Sequence, residues 1–197
     1  MNSFLKNGFI TLLSLTCVIN KGFSQDSIPG TKKVIAAYQL LIKNPGSTKA
    51  QLGYINAFPA DKVIFMAVFE PDSSKQLSYN CDLYINAFVE LAKRYPSRVI
   101  SKSVAIGKDL VWEADATGVM QNGIMTLSVT YPDLFIKKLK TLTTGQQHNL
   151  ITFLADVENH HAYPHYQQLI DILNQKKETA LVTAFIDART AREKEKE

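Results

Sequence analysis

Apolar residues recur with a helical period along most of this chain. In the first such segment, Val34, Tyr38 and Leu41 lie on one face of a predicted helix. The turn-forming residues 44–46 are expected to end this helix, and the hydroxyl of Ser47 is suited to capping the next one. The pattern therefore predicts two helices joined by a tight turn.

The second, third and fourth predicted helices lie between residues 48 and 95. Pro59 suits the first turn of the third helix, a polar loop is expected over residues 70–75, and Pro96 is expected to stop the fourth helix. Their apolar faces consist of Leu52, Ile55 and Phe58, of Val63, Met66 and Phe69, and of Cys81, Tyr84, Ile85, Phe88, Val89 and Ala92.

The C-terminal half continues this pattern after one ambiguous segment. Residues 99–106 form a short apolar run that Gly107 ends, and the bunched Val and Ile residues in it are also compatible with a strand. A polar, histidine-rich link covers residues 158–164. Helices are predicted over 111–130, over 134–142, around Leu150, Ile151, Leu154 and Val157, and without a break from 166 to 192.

Helices joined by short links are typical of an all-α fold. We predict a single-domain antiparallel helical bundle or an irregular α-solenoid of about eight helices over residues 25–197. No self-similar period supports a regular repeat. Charges alternate in the tail over residues 191–197, a pattern that is typical of a solvated, frayed helix end.

The chain begins with the pattern of a secretory signal peptide. Lys6 supplies the positive start, residues 8–19 form the apolar core, and Gly22 and Ser24 are the small residues that precede a cleavage site before Gln25. We therefore expect the mature protein to be secreted or periplasmic.

Two alternatives exist for the predicted signal peptide, residues 1–24. It could be retained as a membrane anchor, but its apolar core is shorter than the ~20 residues that a spanning helix needs. It could also mark a lipoprotein with Cys17 as the lipidated residue, although Ser14 and Thr16 match the usual lipidation pattern poorly. No later apolar run is long enough to span a bilayer, so no transmembrane segment is expected after cleavage.

The charge of the mature chain bears on its partners, and its cysteine content bears on disulfide formation. Removing the leader takes away Lys6 and Lys21, which leaves 20 basic residues against 18 acidic ones and gives no support to a nucleic-acid partner. Cys81 is then the only cysteine, so an internal disulfide is excluded. We expect Cys81 to be a buried apolar residue, with a reactive thiol as the alternative.

The first candidate site is the segment that contains Trp112, Glu113 and Asp115. Two carboxylates beside the only tryptophan could bind a cation or the amine of a ligand or partner. Alternatively, acids in the first turn of a helix complement its dipole and its free N–H groups. Residues two apart also point to different sides of a helix, which favours the structural role.

The second candidate site is a cluster of histidines and acids. Imidazole and carboxylate groups are zinc ligands, and a turn can gather three of them, but Pro164 interrupts the cluster and no HExxH motif is present. Zinc is therefore the alternative to a protein without a cofactor. The residues concerned are Asp156, Glu158, His160, His161 and His165.

Several of these elements occur in an order that is similar to a known group of proteins. The elements are Ala57-Phe58-Pro59, residues 112–116 with the sequence Trp-Glu-Ala-Asp-Ala, and Phe153 with Asp156 followed by histidines. The chain resembles a group of small secreted helical bacterial proteins with an "AFP" helix start, a "W-[DE]-A-D-A" element and a late "F-x-x-D…H" element. The resemblance implies a helical fold and an envelope location, and it implies no activity.

The chain contains no GxSxG, GxGxxG or GxxxxGK[ST] motif. A chain rich in amphipathic helices and without such motifs favours a non-catalytic module of the envelope that binds a protein partner between its helices. The alternatives are a metal-binding protein or metal-assisted hydrolase that uses the histidine cluster, and an inhibitor or immunity-type protein.

Overall fold

A computed structural model of the protein describes residues 29–69, 75–111, 116–156 and 164–195. These ranges are all-α, which confirms the predicted fold class, and they contain eleven α-helices rather than about eight, with no strand. The helices are α1 (Pro29–Lys43), α2 (Thr48–Ala57), α3 (Lys62–Phe69), α4 (Lys75–Tyr79), α5 (Cys81–Glu90), α6 (Pro96–Gly107), α7 (Ala116–Thr130), α8 (Pro132–Leu139), α9 (Thr144–Ala155), α10 (Pro164–Gln175) and α11 (Thr179–Lys194).

Helix α7 is the centre of the fold. It packs against α5, α6, α8, α9 and α10, so helices that are distant in the sequence meet on it. Its buried residues cover more than half of its circumference, among them Met120, Gly123, Ile124 and Met125, as expected for a helix with neighbours on several sides. These contacts favour the bundle over the solenoid, because the units of a solenoid contact only their neighbours.

Local signals predicted the start of the fold well. Helix α1 ends before the turn at residues 44–46, and the Ser47 hydroxyl caps α2 by accepting a hydrogen bond from the Ala50 N–H at 3.3 Å. Cys81 is buried on α5, as predicted. The stripe of α5 is also confirmed, and its Phe88 ring stacks on the ring of Phe58 with centroids 3.9 Å apart.

The predicted start of the third helix is wrong, and its predicted face is confirmed only in part, since Phe69 is buried and Met66 is partly buried. Helix α3 begins at Lys62, where the Asp61 carboxylate accepts a hydrogen bond from the Ile64 N–H at 2.9 Å, so Pro59 is not in its first turn. Val63 is 78% exposed, whereas Phe65 is buried. Almost every residue of α3 is apolar, so the period could not specify which side is buried. Lys75, predicted to lie in a loop, begins the short helix α4.

The structure also shows the role of Pro96 and the conformation of residues 99–106, both of which belong to α6. Pro96 lies in the first turn of α6, because a 3₁₀ turn over Leu91–Lys93 separates it from the end of α5. Residues 99–106 belong to α6, so the alternative of a strand is wrong, and Gly107 ends that helix as predicted. A Cβ atom at Gly107 would lie 2.5 Å from Ile124 Cδ1, so the glycine permits the close approach of α6 and α7.

The last predicted helix is broken into α10 and α11. Lys177 has a left-handed φ of 59°, its N–H donates to the Asn174 carbonyl at 3.0 Å, and the Glu178 N–H donates to the Leu173 carbonyl at 2.9 Å. These two bonds form a Schellman motif, which ends a helix. The sequence pattern missed the break because no glycine or proline marks it.

The middle helices differ from prediction mainly at their ends. Helix α8 begins at Pro132 and ends at Leu139, and Val111 precedes α7 instead of belonging to it. The tail is helical as far as Lys194.

Within the described residues no single helix is long and apolar enough to span a membrane, although α2 and α3 reach the required length and composition as a pair that is bent by 99°.

Candidate functional site

A polar depression lies where α9, α11 and the connection after α6 meet. It consists of two neighbouring hollows of about 240 and 490 Å³, which share the side chains of His148, Thr152 and Arg192. We call this region the α9–α11 depression. The smaller hollow is also lined by residues 109–111, Asn149, Phe153 and Asp156, and the larger one by Ala184, Asp187, Ala188, Ala191 and Glu195.

The start of α9 explains how three of these residues come to share one face. Thr143 and Gln146 form a capping box, in which the side chain of each accepts a hydrogen bond from the backbone N–H of the other. The helix then presents His148, Thr152 and Asp156 at intervals of four residues. Residues four apart lie above one another on a helix, so the three side chains line one edge of the depression.

Asp156 and Arg192 form the central ion pair of the depression. Arg192 donates to a carboxylate oxygen of Asp156 at 2.6 Å, and the Asp156 side chain is only 7% exposed against 34% for Arg192. The hydrogen bond to Asp156 raises the pKa of Arg192, so the guanidinium stays charged. Arg192 also pairs with Glu195.

A buried glutamine of the central helix holds the end of α9. Gln121 is 1% exposed, and its amide nitrogen donates to the carbonyls of Phe153 at 2.6 Å and Asp156 at 2.9 Å. These carbonyls lie in the last turn of α9 and at its end, where helical partners are missing. Gln121 therefore fixes the backbone from which the Asp156 carboxylate reaches Arg192.

Two polar atoms at the edge of the depression are buried without a hydrogen-bond partner among the described residues. They are the Thr152 hydroxyl oxygen and Nε of Arg192. A buried polar group without a partner costs about 1–3 kcal/mol.

Both candidate segments from the sequence begin at this depression. Val111 and Asp156 line it, and they directly precede residues 112–115 and 157–163, which lie outside the described residues. Trp112, Glu113 and Asp115 of the first candidate site, and Glu158, His160 and His161 of the second, are therefore not placed.

The two described members of the predicted zinc set have other partners. The Asp156 carboxylate binds Arg192, and Nδ1 of His165 lies 3.3 Å from the side-chain oxygen of Gln168 on α10. In the part of the chain that the structure describes, no group of three or more His, Cys, Asp or Glu side chains could hold a metal ion. Zinc binding by the full cluster stays a prediction.

Sequence reasoning missed several polar residues of the depression, among them Asp109, His148 and Arg192. Arg192 was assigned to a frayed tail, but it is part of α11 and contacts α9. One signal was available for His148, because it precedes Asp156 by eight residues, which is about two helical turns. No local pattern indicates Arg192, whose partner lies 36 residues away.

Comparisons of the chain with protein-family models, with curated proteins and with solved structures each found no match. A functional proposal for this protein therefore depends on the chemistry of its own surface.

Proposed function

We propose that this protein is a non-catalytic helical interaction module that acts in the envelope or outside the cell, and that it binds a protein partner in the α9–α11 depression. The predicted signal peptide supports the compartment. The observation that carries the binding role is Val111, an apolar side chain that is 62% exposed at the edge of a depression with charged walls.

The composition of the depression suits a protein surface. Val111 supplies exposed apolar area, the buried side chains of Leu110 and Phe153 also line the smaller hollow, and Asp109 and Arg192 supply charge. Protein interfaces likewise combine apolar contacts with polar and charged ones. Gln121 fixes the end of α9 on one side of the site, and Val111 lies in the connection after α6 on the other side.

The test is a cross-linked pull-down from cells that express the full chain with its own leader and a C-terminal tag on a flexible linker. Proteins bound in the envelope and the medium are identified by mass spectrometry. Wild type is compared with Val111→Asp, which places a charge at the apolar edge. Val63→Asp is the matched control, because Val63 is an even more exposed valine on α3, outside the depression.

A stoichiometric partner that Val111→Asp loses and Val63→Asp keeps supports the proposal. A partner that survives Val111→Asp contradicts the assignment of the depression. The absence of any stoichiometric partner contradicts the interaction module itself, and turnover of a small molecule by the purified protein would contradict its non-catalytic nature.

A further inference from the structure

A second, smaller hollow lies between α6 and α8, and its lining differs chemically from that of the α9–α11 depression. It has a volume of about 160 Å³, and the two sites share no residue. We call it the α6–α8 hollow. Its polar lining consists of Ser97 and Ser101 from α6, Lys137 and Lys138 from α8, and Thr141 just after α8.

The two lysines give this hollow a positive charge, and no carboxylate of its lining neutralises it. Among the described residues, Lys137 and Lys138 form no ion pair, and no carboxylate lines the hollow. The acidic residue of α8, Asp133, is already bound to Lys176, with 2.6 Å between the carboxylate oxygen and Nζ. Two lysines that line a concave site without a carboxylate among its lining residues favour the binding of an anion.

The start of α6 adds hydrogen-bond donors on the opposite wall. Ser97 lies in the first turn of α6, and Tyr95 at the N-cap position makes no side-chain hydrogen bond that would cap this turn. Pro96 has no N–H and the Arg98 N–H donates to the Tyr95 carbonyl, so the Ser97 N–H is the free donor of this turn and carries partial positive charge. Ser101 lies one turn further on and brings its hydroxyl group to the same hollow.

We propose that the α6–α8 hollow binds a phosphate monoester, either on a small soluble molecule or on a lipid headgroup. Lys137 and Lys138 provide the charge, and the hydroxyl groups of Ser97 and Ser101 donate to the phosphate oxygens. The volume of the hollow is below the range of drug-sized ligand pockets, and it suits a single phosphate group instead of a whole metabolite.

Lysines in the last turn of a helix also complement the helix dipole, and this role needs no ligand. The chain contains a matched control for it. Lys43 is an exposed lysine in the last turn of α1, and it lies outside the α6–α8 hollow. If dipole complementation were the only role of these lysines, neither Lys43→Met nor the double variant Lys137→Met/Lys138→Met would change phosphate binding.

The experiment titrates the purified full-length protein with inorganic phosphate and with glycerol phosphate, and follows binding by calorimetry and by the shift in Tm. A parallel arm measures sedimentation with vesicles of phosphatidylcholine, with and without phosphatidic acid, which carries a phosphate monoester. Wild type, Lys43→Met, Ser101→Ala and the double variant Lys137→Met/Lys138→Met are compared at about 0.15 M salt, where exposed charges are well screened.

We expect wild type and Lys43→Met to bind with equal affinity. The double variant should lose about tenfold or more for each lysine removed, as is typical for hydrogen bonds to charged groups, and Ser101→Ala should lose less. Binding in the soluble arm identifies a small phosphate compound, and binding only in the phosphatidic acid arm identifies a headgroup. No binding in either arm, or equal binding by wild type and the double variant, overturns the proposal.

Discussion

Replacing Lys177 by glycine tests the break between α10 and α11, because the change in stability has opposite signs for a broken helix and for a continuous one. Lys177 has a φ of 59°, in the left-handed region that costs an L-residue about 1–2 kcal/mol. Glycine removes this cost but loses more backbone freedom on folding, by about 0.5–1 kcal/mol. The side chain is exposed, so no packing is lost. We expect Lys177→Gly to stabilise the protein by about 0.5–1 kcal/mol.

One uninterrupted helix from 166 to 192, as the sequence pattern predicts, would give the opposite result. Glycine in the interior of an exposed helix is less favourable than lysine by about 0.5–1 kcal/mol. A free-energy difference of this size moves the Tm of a domain of this length by about 1–4 °C. Scanning calorimetry and urea unfolding followed by circular dichroism both resolve such a shift.

Gln175→Gly is the control for this experiment. Gln175 is exposed and is the last residue of α10, two positions before Lys177, and its backbone is helical. It should therefore destabilise the protein by about 0.5 kcal/mol. If Lys177→Gly lowers the Tm as Gln175→Gly does, then Lys177 is not left-handed and the Schellman motif is absent.

Two further predictions concern buried polar groups. Asp156→Asn removes the charge that faces Arg192 and should lower the free energy of unfolding by about 1–2 kcal/mol, between the values for exposed and buried ion pairs. The control Glu195→Gln should lower it by about a few tenths of a kcal/mol, because Glu195 is exposed. Equal losses of Tm in the two variants would contradict the burial of the Asp156–Arg192 pair. Burial raises the pKa of Tyr54 above its ordinary 10.0, so unfolded Tyr54 ionises first and stability falls as the pH rises past about 10. Tyr54→Phe should lower the free energy of unfolding by about 1 kcal/mol at neutral pH, because it removes the hydrogen bond to the Tyr84 carbonyl. In urea unfolding from pH 8 to 11, the stability of this variant should fall less steeply with pH than that of wild type.

The parts of the fold that local signals determine were predictable from the sequence. Ser47 caps α2 because its hydroxyl accepts a hydrogen bond from the N–H of Ala50, only three residues away, so the cap depends on neighbouring residues alone. The face of α3 was not predictable, since an apolar helix carries no contrast between its sides. Nor was the break at Lys177, where a lysine adopts the left-handed conformation that usually indicates glycine.

The candidate site shows the same limit more sharply. Alternating charges over residues 191–197 predict a solvated helix end, because each charge finds an opposite one nearby in the sequence. Arg192 instead reaches Asp156, since buried Phe185 and Ala188 lie on the same helix and α11 packs against α9. The depression therefore exists only once α7, α9 and α11 have packed together. No local sequence pattern marks its residues, and only their placement together in the fold suggests a binding function.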